Sequence, residues 1–364
     1  MRSLSKTPLK IGYFADGIWA HNAFKKLIEH FQIGFITPRF DTKDTTLYHF
    51  AKTHNIPYIK SPNINSPEFL EQILPLGCDI FVSMSFNQIF KEPLISTPRL
   101  KTINCHAGKL PFYRGRNVLN WALINDEKEF GISVHYVDSG IDTGDIILQR
   151  TYQISDKDDY TSLLTLAHTE CASVLFEALQ SIQNGTVMPI RQDSIHKVGF
   201  YCPARIQGDE WINWHNTSRT IFNFIRALNA PSLGAKTALN NQEIRIFKAE
   251  MIDEAPNYIA TPGVVVGVES KPVGKPNVII KTLDSTLRIL IYECAKSQTL
   301  LKIGDRLVSM RLGGGATNTF CLLLLFFLFF IFLFVLLCFS LFEVLRTQFI
   351  PTIRSSYVYT TTSL

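Results

Sequence analysis

The sequence predicts an α/β protein with a mostly parallel sheet, followed by a smaller β-rich domain and a hydrophobic tail. Over the first 150 residues, short apolar runs alternate with stretches of helical periodicity, which is the pattern of βαβ units. Beyond residue 197 the chain becomes a series of short β-like runs separated by Pro, Gly and Asn. Residues 312–364 carry a long uncharged run that fits neither pattern.

The elements of the first half follow in order from the spacing of apolar residues. Strands are expected at Leu9–Phe14, Ile33–Thr37, Asp79–Ser83, Leu100–Cys105 and Ile132–Val137. Helices are expected at Ala20–Phe31, Thr45–His54, Asn117–Ile124 and Tyr160–Gln183. This alternation predicts helices on both faces of the sheet, and chemistry beyond the carboxyl ends of its strands.

The second half changes character near Lys197. After a helix at Thr217–Leu228, strands are expected at Glu243–Ala249, Gly263–Val268, Val278–Thr282 and Leu287–Tyr292. Such short strands are typical of a small antiparallel barrel or sandwich. The predicted parts are therefore a catalytic domain at residues 1–196, a β-rich domain at 197–311 and a tail at 312–364.

Composition excludes several classes of protein. With 364 residues, 46% hydrophobic and 18% charged, the chain is neither disordered nor collagen-like. A net charge of +5 does not by itself predict a nucleic-acid binder. The seven cysteines form no C-x-x-C pair, which argues against a zinc site and a disulfide framework. Residues 1–10 hold no apolar core of a secretory signal, so we expect a cytoplasmic protein. We also expect no metal cofactor.

The tail has two interpretations. Residues Phe320 to Phe342 are 23 residues without a charge, among them 9 Phe and 9 Leu. That length and apolarity would allow a helix to span a bilayer, so membrane association through this segment is one reading. The other is an artefactual or dispensable tail, because T-rich DNA translated out of frame yields mostly Phe and Leu codons.

Three polar residues are the candidates for catalysis. Asn104 and His106 end a predicted strand two positions apart, so both side chains face one cleft. An amide can stabilise an oxyanion at an attacked carbonyl, and an imidazole can carry the proton. Asp142, in a loop with two nearby glycines, would orient His106. Taken singly, a histidine at a strand end is more often structural, and an Asp beside Gly usually belongs to a turn.

These residues and their surroundings resemble the folate-dependent formyltransferase family over residues 9 to about 305. The resemblance includes the order Asn104, His106, Asp142, the run Leu110–Arg116 and the segment Gly131–His135. It implies a Rossmann-like catalytic domain, an OB-like second domain, and N10-formyltetrahydrofolate as the formyl donor. In that family pattern Asn104 polarises the formyl oxygen, His106 takes or relays the amine proton, and Asp142 holds His106 or an ordered water.

The resemblance also implies a folate pocket with two walls. Its residues are Phe86, Asn87, Gln88, Ile89 and Phe90, with main-chain groups of Gln88 and Phe90 on the pterin, and Val137, Asp138, Gly140 and Ile141. Ordinary core packing is the alternative for the apolar members. Pockets for such molecules are themselves mostly apolar with a few polar contacts.

The acceptor amine is indicated by similarity to one branch of the family. Methionyl-tRNA-directed members carry a basic insertion after the second strand, whereas residues 38–46 here are short and hold as many acids as bases. The run Tyr113–Trp121 instead resembles enzymes that formylate amino sugars on nucleoside diphosphates. The start, Gly12–Trp19, resembles bacterial enzymes for dTDP-linked 3-amino-3,6-dideoxyhexoses, whose products enter lipopolysaccharide and O-antigen.

A nucleotide sugar needs cations for its pyrophosphate and aromatic faces for its base. The candidates for acceptor binding are Asp16, Trp19, Lys109, Arg114, Arg116, Tyr201, Arg205, Trp211, Trp214 and Arg226. Solvated cations and packed Trp rings are the alternative at each position. The ring position and configuration of the sugar stay open.

Three other functions stay open. They are methionyl-tRNA formylation, hydrolysis of formyltetrahydrofolate, and a membrane-tethered nucleotide-sugar-binding protein without activity. Family resemblance also makes a homodimer through the β-rich domain an expectation.

Overall fold

The computed structural model describes residues 8–294 and 300–308. Its strands are β1 (Lys10–Ala15), β2 (Gln32–Thr37), β3 (Ile80–Met84), β4 (Thr102–His106), β5 (Arg114–Gly115), β6 (Glu129–Tyr136), β7 (Ile146–Gln153), β8 (Tyr201–Cys202), β9 (Ala235–Leu239), β10 (Gln242–Met251), β11 (Val265–Glu269), β12 (Asn277–Lys281) and β13 (Thr286–Cys294). Its helices are α1 (Gly17–Leu27), α2 (Thr46–Thr53), α3 (Pro67–Ile73), α4 (Val118–Ile124), α5 (Tyr160–Asn184), α6 (Gln192–Ile195) and α7 (Ser218–Ala227).

A six-stranded sheet in the order β2-β1-β3-β4-β6-β7 forms the first half of the chain. The pairs among β2, β1, β3 and β4 are parallel, whereas β6 runs antiparallel to both β4 and β7. The predicted mostly parallel sheet is confirmed. Strand β7 was not predicted from the sequence. It is an edge strand with few buried residues, and polar residues such as Gln149 and Arg150 obscure the alternation that identifies a strand.

Helices cover both faces of this sheet, as predicted. Tyr13 of β1 points to the face covered by α1 and α5, while its neighbour Phe14 points to the opposite face. On that opposite face, Phe14 packs edge-on against Phe35 and Phe81 at centroid distances of 5.4 and 5.3 Å. Helix α3, which the periodicity did not predict, covers this second face through Phe69.

The long helix α5 has explicit start and stop signals. The Asp159 carboxylate accepts the main-chain N–H of Ser162 at 3.0 Å, and the Ser162 hydroxyl contacts the Asp159 N–H in return. Gly185 follows the helix with φ of +69°, the left-handed conformation that ends helices and suits glycine. The predicted span of Tyr160–Gln183 differs by one residue.

A five-stranded antiparallel sheet in the order β11-β12-β13-β10-β9 forms the second half, which confirms the predicted β-rich region. Its apolar face packs on α7 around Ile225, Ile246 and Ile280. Cys202 still packs in the first core, whereas Ile212 belongs to the second. The predicted boundary between residues 196 and 197 stays a prediction.

The predicted hydrophobic run Phe320–Phe342 lies outside the described residues. Within residues 8–294 and 300–308, no helix has the length and hydropathy that crossing a membrane requires. The same residues contain no cluster of three or more His, Cys, Asp or Glu that could hold a metal ion.

Candidate active site

A cleft of about 620 Å³ opens at the carboxyl ends of β3 and β4. This is the edge at which ligands bind in open α/β sheets. The residues that line it come from the ends of β3, β4 and β6 and from the loops beyond them: Ser83, Ser85, Phe86, Asn87, Gln88, Ile89, Phe90, Asn104, Cys105, His106, Gly115, Arg116, His135, Val137, Asp138, Gly140, Ile141, Asp142, Tyr201 and Cys202.

The three predicted catalytic residues meet in this cleft. The Nδ1 atom of His106 lies 3.8 Å from Oδ2 of Asp142, and Nδ2 of Asn104 lies 3.4 Å from Oδ1 of the same carboxylate. Asn104 and His106 share a face of β4 because they are two residues apart in a strand. Asp142 follows β6 with a left-handed φ of +54°, and the Gly115 N–H donates to its Oδ2 at 2.8 Å.

The carboxylate of Asp142 is held in its charged form. Burial alone would raise its pKa, but the nearby charge of His106, then the contact with His135 and the Gly115 N–H, outweigh burial. Together they hold the pKa of Asp142 well below its usual range. The site therefore contains a fixed negative charge beside the imidazole of His106.

The tautomer of neutral His106 follows from its contact with Tyr113. The Nε2 atom lies 2.7 Å from the main-chain oxygen of Tyr113, and a carbonyl oxygen only accepts hydrogen bonds. Nε2 must therefore carry the hydrogen, which leaves the lone pair on Nδ1 next to Asp142. Gly108 makes room for this contact, since a Cβ there would lie 2.3 Å from both Nε2 and the Tyr113 oxygen.

A second histidine, His135, completes the cluster. It lies opposite Asn104 across the antiparallel pair of β4 and β6. Its Nδ1 donates to the Tyr136 main-chain oxygen at 2.8 Å, and its Nε2 lies 3.3 Å from Asn104 Nδ2 and 3.4 Å from Asp142 Oδ1. With 2% exposure, this imidazole is a buried support for Asn104 and, when protonated, a partner for Asp142.

Sequence reasoning did not select His135 as a site residue, although it belongs to the segment Gly131–His135 that resembles the family. The available signal was the alternation of side chains along β6. His135 falls on the same face as the polar residue Ser133, and the apolar residues Ile132 and Val134 fall on the opposite face. The antiparallel pairing of β4 with β6, which brings His135 to Asn104, could not be read from local sequence.

All nine residues predicted for the folate pocket line the cleft. Phe86 and Phe90 pack against Phe14 with centroid distances of 5.8 and 4.9 Å. The Gln88 side chain is fixed by the Ile64 N–H and the Ser61 oxygen, each at 3.0 Å. Within residues 8–294 and 300–308, no hydrogen bond engages the main-chain N–H or C=O of Gln88.

The cleft wall thus offers what a pterin-type ring requires. Apolar side chains form one surface, and Ile89 and Ile141 expose 59% and 51% of their area beside it. The Phe86–Phe90 segment also lines the cleft with the polar side chains of Asn87 and Gln88, so the cleft combines apolar surface with a few polar groups, as binding pockets do.

Of the residues predicted to bind the acceptor, Arg116 and Tyr201 line the cleft. The others lie elsewhere and have partners. Asp16 precedes α1 with its carboxylate 3.8 Å from Arg39 Nε, and the Trp19 ring packs edge-on against His168 at 4.5 Å. Lys109 pairs with Glu129, and Arg114 donates to Gln192 while its guanidinium lies over the Tyr201 ring.

The predicted binding roles of Trp214 and Arg226 are corrected by their burial. Trp214 is fully buried in the second core, and its Nε1 donates to Thr237 Oγ1 at 3.0 Å, so no base can stack on it. Arg226 is 5% exposed and donates to the main-chain oxygens of Ser155 and Asp158 at 2.6 and 3.1 Å. The Arg226 side chain therefore links α7 to the loop between β7 and α5 through these hydrogen bonds.

Arg205 and Trp211 are also removed from the cleft. The Arg205 guanidinium lies 5.7 Å from the ring centroids of both Trp121 and Phe224, and its Nη2 donates to the Asp209 oxygen at 2.7 Å. Trp211 forms an isolated bridge with Lys236. Arg205 thus contacts two aromatic rings outside the cleft.

Two family models match the chain. The model described as formyl transferase matches residues 38–179, and the model of the formyl transferase C-terminal domain matches residues 206–301. Among solved structures, a sugar 3N-formyl transferase crystallised with dTDP and 5-N-formyl-THF has a TM-score of 0.60 at 24% identity, with 79% of this chain and 98% of that chain covered. The N-formyltransferase of Helicobacter canadensis, solved with folinic acid and dTDP-3-aminofucose, has a TM-score of 0.58 at 24% identity over 78% and 99% of the two chains. These two structures share the fold.

Two curated relatives are more similar to this chain in sequence than these two structures are. The methionyl-tRNA formyltransferase of Ruminiclostridium cellulolyticum is 32% identical over 240 residues, which is 66% of this chain and 74% of that protein. The methionyl-tRNA formyltransferase of Fusobacterium nucleatum is 32% identical over 271 residues, 71% of this chain and 84% of that protein. With this similarity and the assembled cluster of Asn104, His106 and Asp142, the chain belongs to the formyltransferase family and is an enzyme of formyl transfer.

Proposed function

We propose that the enzyme transfers a formyl group from N10-formyltetrahydrofolate to the amino group of a dTDP-linked amino sugar, with a 3-amino-3,6-dideoxyhexose as the favoured acceptor. The observation that carries the choice of acceptor is the pair Arg116 and Tyr201 on the cleft. Both side chains are exposed, and no ion pair engages Arg116 within the described ranges. A guanidinium without an ion pair and an aromatic ring that is half exposed beside Arg114 suit a pyrophosphate and a base.

The roles of the cluster follow from its geometry. The co-substrate would supply an activated formyl group. Asn104 would donate to the formyl oxygen, because its Nδ2 contacts at 3.3 and 3.4 Å are long enough to be exchanged for a better one. His106 would take the proton of the attacking amine at Nδ1, and the ionised Asp142 would stabilise the resulting imidazolium. As the new C–N bond forms and the bond between the formyl carbon and N10 breaks, the same proton would pass to N10, so that tetrahydrofolate leaves neutral at that nitrogen. The amine must be neutral to attack, so the rate should rise with pH until its ammonium form is gone.

The segment after β2 supports a small acceptor. Of its two cations, Arg39 donates to the main-chain oxygen and Oγ of Ser85 at 2.9 and 3.0 Å, which leaves Lys43 exposed. Asp41 and Asp44 lie in the same stretch. A surface that grips a nucleic-acid backbone would need several free cations together.

Formylation of methionyl-tRNA is the second candidate, and the 32% identity to such enzymes favours it. The two functions differ in their salt dependence. A tRNA acceptor would be bound through many phosphates, so kcat/KM would fall steeply between low and moderate salt. A nucleotide sugar presents one pyrophosphate, and its kcat/KM would change little.

The test uses the full chain, N10-formyltetrahydrofolate and a panel of acceptors that includes dTDP- and UDP-linked amino sugars and charged methionyl-tRNA. Mass spectrometry follows the gain of one formyl group on each acceptor, and formate release is measured without acceptor. We expect formylation of a dTDP sugar, a rise of about 10-fold or more in its KM in Arg116→Ala, and no such rise in the control Arg99→Ala. Arg99 is a matched exposed arginine, paired with Asp79 before β4.

Each other outcome has a defined meaning. Formylation of the tRNA alone would replace the sugar by the second candidate. Formate release with no formylated acceptor would indicate a hydrolase, and folate binding without any turnover would indicate a binding protein.

The same proposal places the enzyme in the synthesis of lipopolysaccharide or another surface glycan in the cytoplasm, as a homodimer. Light scattering on the purified full chain would measure the mass of the particle. A monomer at the concentrations used for assay would remove the homodimer from the proposal.

A further inference from the structure

The position of the Asp142 carboxylate depends on an unusual main-chain path. Asp142 has a φ of +54°, which is uncommon for a residue with a Cβ and must be held by its surroundings. Two residues further on, a Cβ at Gly144 would lie 1.9 Å from the Tyr136 oxygen, so the loop passes very close to β6. Specific contacts are needed to keep the loop in this place.

Gln192, the first residue of α6, supplies two of these contacts. Its side-chain Nε2 donates to the main-chain oxygens of Asp142 and Gly144, each at 2.8 Å. Its Oε1 accepts from Nε and Nη2 of Arg114 at 3.0 and 2.6 Å. Gln192 is 4% exposed, so water does not replace these partners.

The orientation of this amide is determined by its partners. Carbonyl oxygens only accept and a guanidinium only donates, so Nε2 must face the loop and Oε1 must face Arg114. A side-chain amide has two N–H groups and an oxygen with two lone pairs. All four are used by Gln192, and a flipped amide would lose every one of them.

The contact of Gln192 with Arg114 supports the Asp142 carboxylate indirectly, through the residue that follows Arg114. Arg114 precedes Gly115, whose N–H donates to Asp142 Oδ2 at 2.8 Å. The two residues form β5, which pairs with Tyr201–Cys202. Gln192 therefore fixes both the main chain that carries the carboxylate and the strand that binds its oxygen.

We propose that Gln192 is a positioning residue for formyl transfer, which holds Asp142 in the place where its carboxylate supports His106. It touches neither reactant and acts only through the loop of residues 142–144 and through Arg114. The inference rests on the role of Asp142 in the proposed function. It assigns to the start of α6 a part in the chemistry that the sequence motifs did not indicate.

The test replaces Gln192 by two residues of similar length. Gln192→Met removes all four hydrogen bonds, and Gln192→Glu keeps acceptors for Arg114 but removes both donors to the loop. The matched control is Asn120→Leu, because Asn120 is 2% exposed and its Nδ2 donates to the Ala227 oxygen at 2.6 Å between α4 and α7. Both sites lose a buried amide, but only Gln192 contacts the loop of Asp142.

We expect kcat to fall about 10- to 100-fold in both Gln192 variants, because a misplacement of about 1 Å has such effects. The KM of the formyl donor should change less than about 3-fold, since the folate walls do not contact Gln192. Asn120→Leu should lose stability with kcat within about 3-fold of the wild type.

A folded Gln192 variant with wild-type kcat would overturn the proposal. So would the failure of both variants to fold, which would make Gln192 a residue of folding. A second measurement distinguishes failure of the proposed role of Gln192 from an incorrect choice of acceptor, because it needs no acceptor. Selective labelling of histidine allows the ring signals of His106 and His135 to be followed by NMR without any acceptor, and they should shift in Gln192→Met but stay in place in Asn120→Leu.

Discussion

The Nε2 atom of His106 lies 2.7 Å from the main-chain oxygen of Tyr113, and this contact decides which nitrogen can act as a base. Because the Tyr113 oxygen can only accept, Nε2 holds a hydrogen and Nδ1 holds the lone pair of the neutral imidazole. The proton taken during the reaction therefore arrives beside Asp142.

Loss of the His106 imidazole should lower the rate of formyl transfer without weakening the binding of folate. In His106→Ala we expect kcat to fall by about 10²- to 10⁴-fold, the usual contribution of a general base, with folate affinity within about 3-fold of the wild type. Steady-state assays and folate titration measure the two quantities. His215→Ala, at an exposed histidine before α7, is the control. A His106→Ala enzyme with near wild-type turnover would contradict the proposed base.

Gly108→Ala should break the hydrogen bond between the His106 imidazole and the Tyr113 oxygen. The new Cβ would lie 2.3 Å from both His106 Nε2 and the Tyr113 oxygen, so the hydrogen bond that sets the tautomer cannot persist. We expect a loss of about 1–3 kcal/mol in the free energy of unfolding together with a large loss of kcat.

Gly267→Ala is the control for this substitution, because its nearest neighbour would be the Ile279 side chain at 3.1 Å in the second domain. Urea unfolding and assay of both variants measure the result. Equal kcat in the two variants would show that the room left by Gly108 does not serve the site.

The buried charge of Asp142 should make stability depend on pH in the acid range. Its pKa is held below that of an unfolded Asp, about 3.9, so the charged form stabilises the fold fully above that pH. This stabilisation is lost as pH falls below about 3.9 toward the lowered native pKa. The difference in unfolding free energy between the wild type and Asp142→Asn should therefore be larger at pH 7 than at pH 3.

Urea unfolding at the two pH values measures this difference. Asp145→Asn, at an exposed carboxylate in the same loop, controls for the loss of one negative charge. A difference between wild type and Asp142→Asn that does not change with pH would mean that the carboxylate is not held by the imidazoles.

Two aromatic residues predicted to stack on a base should behave differently. Trp214→Phe removes the buried contact with Thr237, so we expect a loss of about 1–3 kcal/mol in stability and an unchanged acceptor KM. Tyr201→Ala, at an exposed ring on the cleft, should raise the acceptor KM with little effect on stability. Thermal unfolding and acceptor titrations separate the two, and a raised KM in Trp214→Phe alone would contradict this assignment.

The parts of the site that lie in short sequence segments could be predicted. Asn104 and His106 share a face through the alternation of one strand, and the Phe86–Phe90 segment follows another strand directly. Parallel strands place their carboxyl ends at one sheet edge, so these residues had to be close. Asp142 was proposed from its glycine-containing loop and again from the family resemblance, and its contacts with His106 and Asn104 agree with that prediction.

The contacts made between distant segments could not be predicted. His135 meets Asn104 through an antiparallel pairing, and Gln192 meets Asp142 across 50 residues of chain. The errors have a related cause. A cation such as Arg226 or a ring such as Trp214 has the same local sequence signal whether it binds a ligand or packs in the interior, and only the tertiary structure distinguishes them.

The antiparallel pairing of β4 with β6 limits how such a site can change. Asn104 lies opposite His135 only in one register, and inserting a single residue in either strand would turn His135 to the other side of the sheet. The residues proposed to bind the acceptor, Arg116 and Tyr201, lie outside β4 and β6. The choice of amine can therefore change at these two positions while the register that brings Asn104 to His135 stays the same.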